Sequence, residues 1–445
     1  MNGEPLHVRP TQRAALLLVV ALSIVVISVL TGSRAYAAGI ALALLCASMS
    51  GYATLASLAM SRCVARIEVV GRVEGSPIEA RITIENRGLV PIAFAEVSIE
   101  YSPHLRLREG PRAALLTIPP RSQVSIRLVF EGRVGRHYVG PLRAVVRDFL
   151  GLYRSVEMAV GEREEFRVYP RVSEVVMRRL VVRTRSVGIT RSREPGLGIE
   201  FHSVREYRPG DDPRRVDWKH FAATRRLVVK EMEREEFLSL LFLVDATPPM
   251  FFGPYGYTPF EHVARIVASI ARYVSMKGDL MGIVIATRSS CLARGMARGR
   301  RGFAEVLRGL SETPFDVDSS SEEERCIAIQ RCFRKALEVL PRERNLVLAF
   351  TVSGGPSYFE TLRDCARRVA SMGNEVVVVV PISVEYEARG LDPWSQTIYR
   401  IKTYASARQE MEFARSLNRA GVRAIALLPR HIPQRVVSII ESLRA

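Results

Sequence analysis

The sequence predicts a multidomain protein in which a transmembrane helical hairpin precedes an antiparallel β-sandwich and a doubly wound α/β domain. Three observations lead to this prediction: two long apolar stretches at the N-terminus, a region of period-two alternation, and a series of continuous apolar strands separated by amphipathic helices. The 445 residues are enough for roughly two to four domains. We expect the helical hairpin in residues 1–63 and the β-sandwich in residues 64–172. A charged segment that packs on the next domain should occupy residues 173–236, and the α/β domain residues 237–445.

The two apolar stretches are long enough to cross a bilayer. Ala14–Leu30 and Ala37–Met60 carry no charged residue, and six residues, which include the short break Thr31–Arg34, separate them. Arginine flanks the pair on its outer sides and occurs once in the loop: Arg9, Arg13, Arg62, Arg66 and, in the loop, Arg34. This bias predicts a cell-membrane protein with two spans, the bilayer as a partner, and both termini and the bulk of the chain in the cytoplasm.

An alternative interpretation makes the first stretch a signal peptide. Ala35-Tyr36-Ala37 then serves as an A-x-A cleavage site. The second stretch would stop transfer in that case, so the two interpretations differ in processing and agree on where most of the chain lies.

The region from Ala65 to about Pro170 alternates with period two. Ile78–Glu85 alternates apolar and polar residues, and Val124–Phe130 has an apolar residue at every second position. About eight short strands, separated by Gly, Pro and Asn clusters, indicate an immunoglobulin-like antiparallel sandwich. No cluster of titratable residues recurs there, so we interpret this region as a spacer or a binding module.

After Phe237 the pattern changes to buried strands alternating with helices. The strands are Leu238–Val244, Leu280–Ala286, Asn345–Phe350, Glu375–Val380 and Arg423–Leu428. Such unbroken apolar runs are typical of a parallel sheet that is covered on both faces. Thr258–Glu261 and Ser357–Glu360 predict capping boxes at two helix starts, and Gly373 predicts a helix end. In this fold ligands bind beyond the carboxyl ends of the strands, which directs attention to Asp245.

Asp245 ends the first of these strands, and Thr247 and Pro249 follow it. A carboxylate followed by hydroxyls two and four positions later is a good Mg²⁺ site. The arrangement resembles the D-x-S-x-S metal-ion-dependent adhesion site of von Willebrand factor A domains, except that Pro249 has no side-chain oxygen. That family usually has an aspartate after a later strand, whereas Thr351–Gly355 here contains no carboxylate. The resemblance implies a degenerate metal site at Asp245 and Thr247, with Asp245 acting as a turn or helix-cap residue.

A second motif lies upstream of the α/β domain. Residues 196–201 read GLGIEF and residues 205–219 read REYRPGDDPRRVDWK. Pro209-Gly210 suits a type II turn, and Asp212-Pro213 predicts the start of a short helix that runs through Phe221. The candidate residues for a structural or partner-docking role are Glu200, Arg205, Glu206, Tyr207, Gly210, Asp211, Asp212, Arg214, Asp217 and Trp218.

Two interpretations of this motif stand beside each other. In the favoured one, its interleaved charges clamp the segment 196–226 onto the α/β domain, with Trp218 as an apolar anchor. In the other, the motif is a docking face for a partner.

Together with the two leading spans and the trailing α/β domain, these motifs resemble the family known as domain of unknown function 58. Gly140-Pro141 and the segment 147–152, which reads RDFLGL, are similar to a further part of that family's pattern, with a local departure at Phe149 and Leu150. The resemblance implies a von Willebrand factor A-like fold and a membrane-tethered partner of MoxR-type AAA+ ATPases in protein assembly or maturation. It implies no established catalytic activity.

Signatures of common enzymes are missing from the sequence. It contains no phosphate-binding G-x-x-x-x-G-K-[ST] loop, no H-E-x-x-H and no G-x-S-x-G. Cys326 and Cys332 are expected on one helix without the histidines of a zinc site. We therefore expect a non-enzymatic adaptor without a cofactor. The alternative is a Mg²⁺-dependent ligand-binding or hydrolytic domain centred on Asp245.

The charge is strongly positive, with 64 Lys and Arg against 46 Asp and Glu and a net charge of +18. Anionic lipid headgroups near the anchor are a natural partner for this excess. Nucleic acid is not expected as a partner, because no aromatic interleaving or known module accompanies the charge.

Overall fold

The computed structural model describes residues 8–172, 195–233, 238–315, 321–342, 345–382 and 393–444. The chain divides into two compact units, Met1–Val168 and Tyr169–Ala445.

The first unit contains two helices near its start, α1 (Gln12–Thr31) and α2 (Tyr36–Ser61). Helix α1 ends where Gly32 adopts a left-handed conformation that favours glycine. By length and composition, both helices could cross a membrane. Large apolar side chains are exposed along them, including Leu22 at 66% and Leu30 at 80%. Near the end of α2, Ala56 and Met60 pack into the hydrophobic core of the first unit.

Two antiparallel sheets complete the first unit. Their strands are β1 (Val8–Pro10), β2 (Val64–Val70), β3 (Ile78–Asn86), β4 (Ile92–Tyr101), β5 (Leu105–Glu109), β6 (Ala113–Ile118), β7 (Ser122–Gly132), β8 (Gly135–Arg147), β9 (Tyr153–Ser155), β10 (Met158–Val160) and β11 (Glu164–Val168). One sheet has the order β2-β3-β7-β5, and the other has the order β1-β9-β8-β4-β6, with β10 and β11 also paired to β8. Buried residues of both sheets form a single hydrophobic core. The immunoglobulin-like assignment stays a prediction.

Strand β1 precedes the helical hairpin in the sequence and pairs with β9, which follows the hairpin. Thr11, which caps the start of α1, also bonds to the 151–152 turn: its N–H donates to the Leu152 carbonyl at 2.7 Å and its hydroxyl to the Gly151 carbonyl at 3.0 Å. The chain entering α1 and the chain leaving α2 therefore join the same folded unit.

The first strands described in the second unit form a long β-hairpin that carries the charged motif. Strands β12 (Pro195–Glu206) and β13 (Val228–Glu233) pair antiparallel. Between them, Asp212 caps a 3₁₀ turn at Pro213–Arg215, as the Asp-Pro pair predicts. The predicted continuous helix through Phe221 is wrong, because Val216 is extended and Asp217 caps a separate helix, α3 (Trp218–Thr224).

The rest of the second unit is an α/β domain. Its strands are β14 (Ser239–Asp245), β15 (Leu280–Ala286), β16 (Cys291–Arg298), β17 (Asn345–Phe350), β18 (Glu375–Pro381) and β19 (Ala424–Leu427). Its helices are α4 (Pro259–Lys277), α5 (Gly299–Glu312), α6 (Glu322–Val339), α7 (Pro356–Ser371), α8 (Pro393–Arg419) and α9 (Ile432–Arg444).

The sheet is mixed, with the order β16-β15-β14-β17-β18-β19. The five strands expected from apolar runs are parallel to one another, as predicted. Strand β16 was not expected, and it runs antiparallel to β15 at the edge. The chain order reverses direction between β14 and β17, so the carboxyl ends of these two strands flank the topological switch point where such folds place ligands.

Helix boundaries test the capping predictions. Thr258 and Glu261 form the predicted capping box at the start of α4. The predicted box at Ser357–Glu360 is wrong, because α7 begins at Pro356 with Gly355 as its N-cap, two residues before Ser357, and has no side-chain cap. Sequence reading missed a capping box at Ser321 and Glu324, which starts α6.

Candidate functional site

The candidate site lies at the switch point, where Asp245 ends β14 with none of its surface exposed. Its Oδ1 atom accepts two hydrogen bonds from Thr247, one from the backbone N–H at 2.9 Å and one from the hydroxyl at 2.6 Å. These bonds form a local turn of the kind that aspartate favours after a strand. They fit the expected turn role of Asp245 and leave its Oδ2 atom for more distant partners.

The distant partner is Arg325, which enters the site from the first turns of α6. Its Nη2 and Nε atoms donate to Asp245 Oδ2 at 2.9 and 3.3 Å. The guanidinium also donates to Thr351 Oγ1 at 3.1 Å and to the carbonyls of Val352 and Ser353 at 2.8 and 2.9 Å. The Arg325 side chain is 5% exposed, so this ion pair belongs to the protein interior.

Thr351 and Tyr358 close the site around the ion pair. The Thr351 hydroxyl donates to Asp245 Oδ2 at 2.7 Å and lies 2.6 Å from the Tyr358 hydroxyl. The Tyr358 hydroxyl also lies 3.2 Å from Asp245 Oδ2. The Arg325 guanidinium carbon lies 3.7 Å from the centre of the Tyr358 ring, within the range of a cation–π contact.

Two glutamates hold the loop that follows β17. Glu410 of α8 accepts from the Ser353 N–H and hydroxyl, each at 2.8 Å. Glu322 of α6 accepts from the Tyr358 N–H at 2.8 Å. A Cβ atom on Gly355 would lie 2.3 Å from the Glu322 carboxylate, and one on Gly354 would lie 2.6 Å from the Tyr358 ring. The glycines of this loop therefore allow the close approach of these side chains.

The ionisation of the site follows from its burial and its ion pair. Burial raises the pKa of Asp245, but the Arg325 guanidinium and the hydrogen bonds from Thr247 and Thr351 outweigh that effect and lower it. Burial also raises the pKa of Tyr358, which keeps its phenol protonated. The pKa of Glu410 is raised, chiefly by burial and against the bonds from Ser353.

The residues at this edge of the sheet do not fit a divalent cation. Both carboxylate oxygens of Asp245 accept hydrogen bonds from the protein, and the guanidinium supplies the positive charge that a metal ion would supply. Pro249 contributes no side-chain oxygen. Within the described ranges, no group of three or more His, Cys, Asp or Glu could hold a metal ion. The metal site at Asp245 and Thr247 stays a prediction that these contacts do not support.

The charged motif forms a separate, exposed site. Arg205 donates to both carboxylate oxygens of Asp211, at 2.6 and 2.8 Å, and the Arg208 N–H donates to Asp211 at 2.8 Å. Bonds from Arg205 and Arg208 lower the pKa of Asp211 to about 2. Gly210 has a φ of +108°, which suits the predicted type II turn at Pro209-Gly210.

The remaining motif residues divide between backbone support and exposure. Asp212 accepts from the Arg214 N–H at 3.0 Å, and Asp217 accepts from the His220 N–H at 3.1 Å. Tyr207 is half-buried on the chain that leaves β12, whereas Glu206 and Arg214 are exposed. The side chain of Glu200 lies outside the described residues. Trp218, which we expected to be an apolar anchor, has 60% of its surface exposed.

Sequence reading identified Asp245 but missed most of its partners. The sequence analysis did not single out Arg325, Tyr358 or Glu410. It mentioned Thr351 only as part of the segment 351–355, which contains no carboxylate. One signal was present in the sequence. Arg325 is spaced four, seven and eleven residues before Ile329, Cys332 and Ala336, all buried, so an arginine occupies an apolar stripe of α6.

Residues 203–384 match the family described as "Protein of unknown function DUF58". The chain contains a DUF58 region. This confirms the resemblance drawn from the 205–219 motif, although the match does not extend to the N-terminal helices or the two antiparallel sheets.

Curated relatives of the chain include uncharacterized proteins of Mycobacterium bovis and Mycobacterium tuberculosis. Each is 27% identical over 184 residues, which is 41% of this chain and 56% of the relative. The chain thus spans little more than half the length of these relatives.

Solved structures that resemble the chain include a von Willebrand factor type A protein from Catenulispora acidiphila, with a TM-score of 0.29, 10% identity, and coverage of 48% of this chain and 44% of that one. They also include the SpRpn10 VWA domain, with a TM-score of 0.28, 16% identity, and coverage of 44% and 89%.

Proposed function

We propose that the chain is a membrane-tethered adaptor without catalytic activity, whose second unit docks on another protein. The observation that supports this proposal is the buried Asp245–Arg325 pair at the switch point. In α/β folds this edge of the sheet holds the groups that bind ligands. Here its carboxylate is engaged by an internal cation, which suits a structural element of an interaction domain.

The partner we propose is a MoxR-type AAA+ ATPase, with a role in the assembly or maturation of other proteins. This part of the proposal depends on the DUF58 resemblance. The test is affinity purification of the tagged full chain from native membranes after crosslinking. We expect an AAA+ ATPase to be recovered with the full chain and not with a control that ends at Val168. Repeated absence of an ATPase from crosslinked samples would overturn the adaptor proposal.

We also propose that both ends of the helical hairpin face the cytoplasm. The pairing of β1 with β9 supports a common side for the two ends, and the arginines that flank the hairpin support the cytoplasmic side. A fluorescent protein fused after Ala445 should fluoresce, and alkaline phosphatase inserted in the 32–34 loop should be active. The reverse pattern would contradict this orientation.

The alternative function, a Mg²⁺-dependent ligand-binding or hydrolytic domain, has weaker support. A Mg²⁺ ion would have to displace the Arg325 guanidinium from Asp245 or bind beside its positive charge. Calorimetric titration of Mg²⁺ and Mn²⁺ into the detergent-purified chain should therefore give no binding heat. A saturable signal that disappears in Asp245→Asn would favour the alternative.

A further inference from the structure

In the charged motif, the aspartates accept hydrogen bonds from the motif itself, whereas several basic side chains are exposed. Its aspartates accept hydrogen bonds from the motif itself: Asp211 from Arg205 and Arg208, Asp212 from Arg214, and Asp217 from His220 and, as an ion pair at 3.3 Å, from Lys230. The carboxylates are therefore used to fold the loop between β12 and β13. Arg205 and Lys230 partly neutralise the charges of Asp211 and Asp217.

Several other basic side chains of the same loop are exposed to solvent. Arg214, Lys219, Arg225 and Arg226 are exposed, and among the described residues their side chains form no ion pair. Arg225 ends α3 in the left-handed conformation, with a φ of +55°, which turns the chain sharply after the helix. The loop thus presents several positive charges without an ion-pair partner among the described residues, placed before, within and after one short helix.

An aromatic side chain lies among these cations. Trp218 begins α3, is 60% exposed, and contacts the half-buried Phe221 edge to face, with ring centres 6.3 Å apart. An exposed tryptophan loses favourable burial unless a partner covers it. Tryptophan and arginine are the residues most enriched at the energetic centres of protein interfaces.

We propose that this surface, formed by Arg214, Trp218, Lys219, Arg225 and Arg226 and named the Trp218 face, docks an acidic surface of a protein partner. The inference rests on the proposed adaptor function and names the surface and the chemistry of that partner. Complementary charge would steer the partner to the face, and burial of Trp218 would hold it there.

A protein fits the Trp218 face better than a nucleic acid or a lipid surface. The exposed carboxylates of Glu206 and Asp212 lie on the same loop, and they would repel a continuous array of phosphates. A protein surface can place its own cations opposite them. Single-stranded nucleic acid also stacks on several aromatic rings in succession, whereas among the described residues of this loop Trp218 is the one exposed side chain of the Phe, Tyr and Trp type.

The test places a photo-crosslinking benzoylphenylalanine at position 218 of the full chain in native membranes. We expect a protein adduct that maps to an acidic segment. The adduct should be lost in Arg214→Glu/Lys219→Glu and retained in Arg214→Lys/Lys219→Arg. The matched control is Arg334→Glu/Arg368→Glu, which makes the same change in net charge at exposed positions of α6 and α7 and should retain the adduct.

The partner identified by crosslinking is then purified, and its affinity for the full chain in detergent is measured. Trp218→Ala and the 214/219 charge reversal should each weaken binding by about tenfold or more, and the control pair should leave it unchanged. Circular dichroism of each variant checks that these exposed substitutions leave the fold intact.

The remaining outcomes overturn the proposal. A lipid adduct, a nucleic-acid adduct, no adduct, or equal loss in the control pair would each contradict an acidic protein as the occupant. The outcome is separable from that of the adaptor proposal. If the charge-reversed chain still recovers its ATPase, the Trp218 face is wrong and the adaptor function stands; if the unaltered chain recovers none, the adaptor proposal itself fails.

Discussion

Two arginine–aspartate pairs among the described residues have similar nitrogen–oxygen distances but opposite surroundings. Arg325 and Asp245 lie 2.9 Å apart with side chains that are 5% and 0% exposed. Arg205 and Asp211 lie 2.6 Å apart with side chains that are 37% and 17% exposed. In each pair the aspartate also accepts a backbone N–H, so the contrast lies in access to water.

Access to water changes what each pair can do. In the interior, either charge without the other would remain buried and unpaired, which is strongly destabilising. At the surface, water replaces a lost partner, and such a pair contributes little to stability. The buried pair therefore stabilises the α/β domain at the carboxyl ends of its strands. The exposed pair shapes a loop whose other side chains stay available to a partner.

The largest effect is expected from Arg325→Met. The variant leaves the Asp245 carboxylate buried without its cation, and we expect a loss of about 3–5 kcal/mol in the free energy of unfolding. Native-state amide hydrogen exchange of peptides covering β14 and β17 measures this locally. Arg334→Met, at an exposed position of the same helix, is the matched control and should be nearly neutral.

A double variant tests whether the loss comes from the pair. Asp245→Asn combined with Arg325→Met removes both charges, so it should be less destabilised than the sum of the two single variants. Strict additivity would mean that the two side chains contribute independently and that the buried pair is not the source of the effect.

The pH dependence of stability should differ between the wild-type chain and Asp245→Asn. Burial raises the pKa of Asp245, but Arg325 and the hydrogen bonds from Thr247 and Thr351 bring it below its ordinary value of 3.8. The folded domain then binds the proton less readily than the unfolded chain does. The contribution of Asp245 is complete above about pH 4 and is lost as the pH falls through the lowered pKa.

Urea denaturation between pH 6 and pH 2 measures that dependence. The advantage of the wild-type chain over Asp245→Asn should be constant in the upper part of this range and shrink at its acid end. An advantage that grows towards low pH would mean that the pKa of Asp245 is raised in the folded state.

Glu410 should give a smaller effect of opposite sign. Burial raises its pKa above 4.5 in spite of the bonds from Ser353 and the charge of Arg325. Because the folded state then holds the proton more firmly, its contribution falls as the pH rises from about 4.5 through the raised pKa. Glu410→Gln should remove this decline in urea denaturation between pH 4.5 and pH 7. An unchanged slope would assign the decline to another group.

The two regions also differ in how far sequence predicts them. The five parallel strands could be read from runs such as Glu375–Val380, because a strand covered on both faces has no reason to alternate. Strand β16 could not, since its glycine and arginines resemble a loop and its pairing with β15 depends on tertiary contact. The single predicted helix after Asp212 failed because Val216 bridges to Val229, which interrupts the helical turn.

The buried pair marks the limit of what the sequence can tell. The carboxylate of Asp245 is recognisable because it ends a strand at a switch point. Its cation is 80 residues away on a helix that packs across that strand. An arginine within an apolar stripe indicates that a buried partner exists, but it does not identify the partner. The ligand-like position of Asp245 therefore predicted a metal, whereas the contacts provide a guanidinium.

The smallest effect on stability is expected at the exposed pair. Asp211→Asn removes the carboxylate to which Arg205 donates twice, but asparagine keeps an oxygen that can accept from the Arg208 N–H. The freed guanidinium is hydrated in place, so amide exchange in peptides spanning 205–230 should change only near the turn, and unfolding of the α/β domain should not change measurably.

Because Arg205 and Arg208 hold the pKa of Asp211 at about 2, the wild-type loop should keep this pair down to about pH 3. If Asp211→Asn destabilised the α/β domain as much as Arg325→Met does, the exposed pair would be a structural clamp and its loop would not be free for a partner.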